Sequence, residues 1–330
     1  CDASLPMLDT LAQQPYTAGL DGFVLAMQDI HLPASGTYLG GSGDDEVKAM
    51  TAGGSAGQYA LLNTTSPGLA TPGAYMEQPG GGTDGALMKL DTNLVKVTCS
   101  YFGSLMDDHL SDMALHLDTL AICGTTTADT LFLDSLAYRT SNQGSSDGFV
   151  TLLDADLQPL RCTFIGGADE DSLFAVRFDT GGDLYLSGTT RSAGLASGIV
   201  PDGSLSGPSD GFVLRMNTID SVEWAGYFGG ANEEVAATLC VIGHTSVLLG
   251  GSTSSTSAIA EAGHQMIYGG GADDGFMSRW DQETSTPCEG ICTGSGGGGG
   301  GSGSGSGGSY SGVSPPLLQY DICLGESVTF

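Results

Sequence analysis

The sequence predicts an all-β fold, a β-propeller of four-stranded blades, and three periodic markers carry that prediction. The first is Asp-Gly followed by an apolar run, at Asp21, Asp84, Asp147, Asp210 and Asp274, with spacings of 63, 63, 63 and 64 residues. The second is Tyr38-Leu39-Gly40-Gly41, which returns as Tyr101-Phe102-Gly103-Ser104, Phe164-Ile165-Gly166-Gly167 and Tyr227-Phe228-Gly229-Gly230. The third is Asn63-Thr64-Thr65, then Gly124-Thr125-Thr126, Gly188-Thr189-Thr190 and Gly251-Ser252-Thr253. Markers that keep one register at a fixed period identify repeated supersecondary units.

Each unit holds four short apolar runs. In the third they are 148–153, 159–165, 172–178 and 184–187, rich in Val, Leu, Phe and Tyr and bounded by Gly, Asp, Asn or Ser. These are strand signals with turn punctuation, and no run carries a helical stripe over three turns. In the Asp-Gly strand the first position reads Phe23, Ala86, Phe149, Phe212 and Phe276, and the fifth reads Met27, Leu90, Leu153, Met216 and Trp280. Their shared parity puts them on one buried face. The position between, which drifts to Lys89, Arg215 and Arg279, is expected to reach solvent. Four strands per unit favour propeller blades over a parallel β-helix, whose coils are shorter, or a sandwich, which does not impose identical spacing.

Composition narrows the partners. With 38 acidic against 9 basic residues the net charge is -29, which excludes nucleic acid, because phosphate binding needs clustered Lys and Arg. The 54 glycines far exceed the usual share of about 7%, as many tight turns require. The longest apolar stretch, near Val235–Ile242, falls short of the roughly 20 residues of a membrane span. The eight cysteines, at 1, 99, 123, 162, 240, 288, 292 and 323, include no C-x-x-C pair, so a zinc site is unsupported. Cys99 and Cys162 sit inside strand runs and read as small buried hydrophobes. Cys288 and Cys292 are spaced to close a small disulfide loop or to remain apart.

Asp21-Gly22-Phe23-Val24, the run Tyr38-Leu39-Gly40-Gly41-Ser42-Gly43-Asp44-Asp45-Glu46, the Gly-Thr-Thr turn and the loop Gly68–Tyr75 together resemble the bacterial SBBP β-propeller repeat. The resemblance covers residues 1–285, in units starting near 21, 84, 147, 210 and 274. Its departures are Ser104 for the second glycine and Ala86 for Phe. It implies a secreted or surface protein and brings no catalytic residues. Residues 286–313 form a cysteine-containing and then Gly/Ser-rich linker. Residues 314–330, through Tyr320-Asp321-Ile322-Cys323, resemble the first strand of a PKD/Ig-like domain of large Bacteroidota surface proteins. Leu8-Asp9-Thr10-Leu11 echoes Leu133-Asp134-Ser135-Leu136, so the chain is expected to begin inside a repeat, with blades missing on its N-terminal side.

In the order this resemblance implies, the Gly-Gly-acidic turns gather Asp44, Asp45, Glu46, Asp107, Asp108, Asp169, Glu170, Asp171, Glu233 and Glu234 on one face. Two readings stand: solvated turn acids, or ligands for calcium. The Asp of Asp-Gly reads as architectural, accepting turn hydrogen bonds beside a permissive glycine. A catalytic site would break the repeat, and His109 beside Asp107 and Asp108, with His116 beyond, is the best such candidate. No hydrolase nucleophile turn, zinc-protease motif or phosphate loop occurs. The expectation is therefore a non-enzymatic extracellular scaffold or adhesion module of a surface or filament protein, meeting other surface proteins, glycans or copies of itself. The rivals are a carbohydrate-binding propeller, with Tyr75 and Tyr268 as exposed aromatics, and a secreted hydrolase or lyase.

Overall fold

The computed structural model describes residues 19–281, apart from 30–31, 54–56, 132–136, 199, 201, 219–220 and 262. The Cys288 and Cys292 pair, the Gly/Ser linker and the 314–330 strand lie outside the described residues. Within them the protein is all-β, with 17 strands, no helix, and every ladder antiparallel. Among the described residues no helix is long and apolar enough to cross a membrane.

The strands form five sheets in series. A two-stranded sheet, β1 (Gly22–Asp29) with β2 (Leu32–Leu39), comes first. Three four-stranded meanders follow. They are β3 (Asp45–Ala52), β4 (Gln58–Thr64), β5 (Asp84–Leu90) and β6 (Lys96–Phe102); then β7 (Asp108–His116), β8 (Thr119–Thr126), β9 (Asp147–Leu153) and β10 (Pro159–Ile165); then β11 (Asp171–Phe178), β12 (Leu184–Thr190), β13 (Asp210–Thr218) and β14 (Ser221–Phe228). A three-stranded sheet, β15 (Glu234–Ile242), β16 (Ser246–Thr253) and β17 (Asp274–Asp281), ends the series. The strands expected at 148–153, 159–165, 172–178 and 184–187 coincide with β9 to β12. The Gly-Gly-acidic turn is where the chain changes sheet, and the Asp-Gly strand is third in each full meander.

The interiors of the three four-stranded sheets are buried on both faces. Four apolar clusters exist among the described residues, and each is shared by two consecutive sheets. Parity does the sorting: on β4, Ala60 and Leu62 face the preceding sheet while Tyr59 and Leu61 face the next. The Asp-Gly strand obeys the same rule, with Ala86 and Leu90, Phe149 and Leu153, and Phe212 and Met216 all turned toward the sheet before. First strands of successive sheets are neighbours, β3 beside β7, β7 beside β11 and β11 beside β15. Every one of these first strands carries a bulge at the same place, between Val47 and Ala49, Leu110 and Asp112, Leu173 and Ala175, and Val235 and Thr238. Such a bulge inserts an extra residue and sharpens the local twist.

Three sequence expectations need correction. Phe23 and Met27, expected on the buried face of the Asp-Gly strand, are each 47% exposed, because among the described residues no sheet precedes β1. The position expected to reach solvent does not do so at Arg215, whose side chain is only 13% exposed. It is held between Asp183 at 2.5 Å and Glu223 at 3.1 Å, over the Tyr185 ring. The cause is that this face also abuts another sheet, so a long cation there must find acids or an aromatic. Lys89 likewise lies over Tyr59 and donates to the Ala155 carbonyl. The third marker is also displaced in its first copy. The pairing partners Val47 with Leu62 and Leu110 with Gly124 align Asn63 with Thr125 and Thr189, so Leu62 occupies the glycine position. Asn63 there bridges to the next sheet, accepting from the Leu110 amide and donating to its carbonyl.

The glycine of Gly-Thr-Thr is required by close approach. A Cβ on Gly188 would stand 1.8 Å from the Ser172 carbonyl oxygen of the paired first strand. Gly188→Ala should therefore cost about 2–3 kcal/mol of stability through forced strand separation. Gly203→Ala, where a Cβ meets nothing within 4 Å, should change it by less than about 0.5 kcal/mol. Urea unfolding of the two variants beside the wild type checks the contrast.

Candidate functional site

The ten acids of the turns divide by position. Asp45, Asp108, Asp171 and Glu234 open the first strands and are fully buried, whereas Asp44, Glu46, Asp107, Asp169, Glu170 and Glu233 are exposed. The reading of all ten as solvated turn acids is thus wrong for the four that begin strands. A buried carboxylate must be hydrogen-bonded to be tolerated, and the repeat supplies the donors. Asp45 accepts from Thr64 Oγ1, from Ser66 Oγ at 2.7 Å and from the Gly41 amide at 2.8 Å. Asp171 accepts from Thr190 Oγ1, Ser192 Oγ at 2.7 Å and the Gly167 amide at 2.6 Å. Glu234 accepts from Thr253 Oγ1 at 2.6 Å and the Gly230 amide at 2.8 Å. In the remaining copy Ala128 stands where the serine would, and burial holds the Asp108 carboxyl above its ordinary value.

The same residues join the sheets through the backbone. The amides of Asp45, Asp108, Asp171 and Glu234 donate to the carbonyls of Leu20, Thr83, Ser146 and Ser209, each one residue before an Asp-Gly strand. Four of the five Asp-Gly acids, Asp21, Asp84, Asp147 and Asp210, are buried too, and three of these cap their own loops: Asp84 accepts from Gly80 and Gly81, Asp147 from Gln143, and Asp210 from Ser206 and Gly207. Between the two acids of each join sits one glycine. A Cβ on Gly103 would lie 2.1 Å from Asp84 Oδ1 and 3.0 Å from Asp108 Oδ2, and Gly40, Gly166 and Gly229 repeat the arrangement. Two carboxylates therefore share each join. Burial, reinforced by the partner acid, pushes Asp84 and Asp210 upward and brings Asp147 to about 6.

At Asp45, Asp171 and Glu234 hydroxyls and amides already meet the carboxylate oxygens, whereas Oδ1 of Asp84, Asp108 and Asp147 is buried with no hydrogen-bond partner among the described residues. Among the described residues no group of three or more His, Cys, Asp or Glu is arranged to hold a metal ion. Asp44 and Asp107 accept the amides of Leu20 and Thr83, Glu46 pairs with Lys48 at 3.2 Å, and Glu170 and Glu233 flank Arg191. Cys99, Cys123 and Cys162 are buried thiols outside any disulfide, as expected of the first and last, and Cys162 Sγ accepts the Thr151 hydroxyl at 3.1 Å; burial raises Cys99 to about 12.

His109 is exposed on β7 beside the buried Asp108. His116 instead lies at a cleft of about 630 Å³ formed where β3, β7 and β11 run side by side. Here Asp112 forms an ion pair with Arg177, and its Oδ2 also accepts the Val176 amide at 3.1 Å. Arg177 Nη1 further donates to the Val176 carbonyl at 2.6 Å. The His116 and Phe178 rings are in contact, with centroids 5.5 Å apart. Beyond them Asp179 meets His244 Nδ1 at 3.2 Å, and backbone and histidine hydrogen bonds hold its carboxyl below the ordinary value despite burial.

Sequence reading named His116 but missed Asp112, Arg177 and Phe178. The signal was available as departures from the repeat. At the 63-residue spacing Asp112 corresponds to Ala49, Ala175 and Thr238, and Arg177 to Thr51, Ala114 and Cys240. Phe178 corresponds to Ala52, Leu115 and Val241. Compared with protein-family models and with curated protein sequences, the chain matches none of them.

Two outcomes are expected of the joins. Thr190→Val removes a hydroxyl from Asp171 while keeping the shape, and should cost about 1–3 kcal/mol in urea unfolding. Because the fold raises Asp147, it favours the protonated form. That stabilisation is complete below the unfolded value near 3.8 and is lost as pH rises through about 6. Asp147→Asn should therefore match the wild type near pH 4 and exceed it by roughly 1–3 kcal/mol at pH 7, measured as unfolding midpoints across that range.

Proposed function

We propose that this chain is a run of β-propeller blades, akin to the SBBP repeat, that serves as a non-enzymatic extracellular scaffold or adhesion module of a large surface protein. The observation that carries the reading is the recurrence of one buried carboxylate join between every pair of consecutive sheets. The repeated polar residues are committed to holding sheets together, which is what a load-bearing array requires of them. Four-stranded antiparallel meanders in series, with their first strands adjacent, support blades around an axis. The charge of -29 suits a soluble, self-repelling surface. His109, the residue a hydrolase or lyase would need, is exposed beside Asp107 and Asp108, which accept the Thr83 and Ser104 amides.

Single-molecule stretching of the full chain tests this. A scaffold of stacked units should give a series of force peaks, each releasing about 63 residues, or roughly 210–230 Å of chain. Collapse of the whole chain in one low-force event would remove the load-bearing reading. Turnover of a polysaccharide or peptide substrate, abolished by His109→Ala, would replace it with an enzyme.

A further inference from the structure

The cleft between β3, β7 and β11 is built from residues that the blade architecture does not call for. The sheets share one backbone plan, bulge included, yet here Asp112, Arg177 and Phe178 stand where the other copies carry Ala, Thr, Cys, Leu or Val, and His116 where they carry Gly53, Asp179 and Ile242. Nor does stability account for the ion pair, since a partly buried pair is close to neutral against apolar replacements. Asp112 is 15% exposed and Arg177 37% exposed, so both are fixed by the protein yet open to a ligand.

The free hydrogen-bonding capacity is specific. Arg177 spends Nη1 on Asp112 and the Val176 carbonyl, and among the described residues Nε and Nη2 have no acceptor. Asp112 uses Oδ2 for both of its contacts, leaving Oδ1. A locked guanidinium edge beside a carboxylate oxygen offers paired donors and an acceptor in fixed geometry. Next to this polar edge lies an apolar flank made of Phe178, His116, Met50 and Met113.

A ligand fitting both must carry adjacent hydroxyls on its rim and an apolar face of C–H groups. It must also be uncharged: Asp179 and the strongly acidic chain repel an anion, and the open guanidinium edge of Arg177 repels a cation. About 630 Å³ lies inside the ~300–1,000 Å³ range of small-ligand sites. We infer that this cleft is a subsite for a neutral sugar ring of a glycan, with Asp112 and Arg177 binding vicinal hydroxyls and Phe178 supplying the stacking face. The inference deepens the adhesion part of the reading above and rests on it, by naming the class of ligand.

The test is a printed array of neutral and acidic glycans probed with the full chain, then calorimetric titration of the best neutral binder. The double variant Asp112→Ala with Arg177→Ala places at both positions residues found there in other copies, and it leaves no unpaired charge. It should keep the wild-type unfolding temperature and weaken binding by about tenfold or more. Phe178→Leu, which keeps the ion pair and borrows the residue at Leu115, should also weaken it, and decides the matter if the double variant unfolds early. Absence of neutral-glycan binding, binding confined to acidic glycans, or wild-type affinity in both variants would overturn the subsite. A sawtooth in the stretching experiment would in that case still uphold the scaffold, so the two readings fail separately.

Discussion

A carboxylate withdrawn from water at every sheet junction constrains everything around it. The idealised penalty for burying an ionised acid is severe, and Asp45, Asp171 and Glu234 meet it with donors about 20 residues along the chain, whereas Asp108 takes the nearby Ser104 amide. Asp171 reaches the second strand of its own sheet through Thr190 and Ser192, and the turn entering that sheet through the Gly167 amide. Its backbone amide reaches the preceding sheet at Ser146. One residue thereby fixes the strand register, the turn and the approach of two sheets. The glycine of the turn follows from the same geometry, because two carboxylate oxygens already occupy the space a Cβ would need.

That constraint acts locally, and the apolar cores are local as well. Each cluster belongs to two neighbouring sheets, so the molecule is stabilised as a chain of nearest-neighbour interfaces, as stacked repeats are. An unpaired sheet could not bury both of its faces. The strands accordingly read as nearly continuous apolar runs, where a half-exposed sheet would show clean alternation. Tyrosine on the fourth strand adds a second tie: Tyr101 and Tyr227 donate to Ser66 and Ser192 and accept the amides of Leu69 and Leu195. Phe164, in the same place, lacks the hydroxyl.

Much of this architecture was legible because period and turn chemistry are local properties of the chain. The Asp-Gly spacing located the third strand of each meander, and strand parity placed Ala86 with Leu90 and Phe149 with Leu153 on one buried face, though Phe23 and Met27 in the same register are exposed. What could not be read is burial decided by a neighbour. Asp44 and Asp45 are adjacent acids in one turn, yet one is solvated and the other sealed, because only Asp45 lies in the ladder opposite Thr64. Arg215 looked like a surface residue until a second sheet covered its face. The Asn63 offset is of the same kind, since spacing alone cannot tell which of two adjacent residues pairs across a strand.

The site candidates illustrate the remaining gap. His109 attracted notice through its sequence neighbours, yet those neighbours are committed to backbone and hydroxyl contacts at the join. Asp112 and Arg177 are 65 residues apart and meet only because consecutive first strands lie side by side. Neither residue is unusual by itself. Each becomes so when set against its three counterparts, which carry no charge and sit in the same backbone. In a repeat protein the other copies act as an internal control for what the architecture requires. A polar pair absent from all of them needs a reason outside the fold, and the open edge of Arg177 indicates where that reason lies.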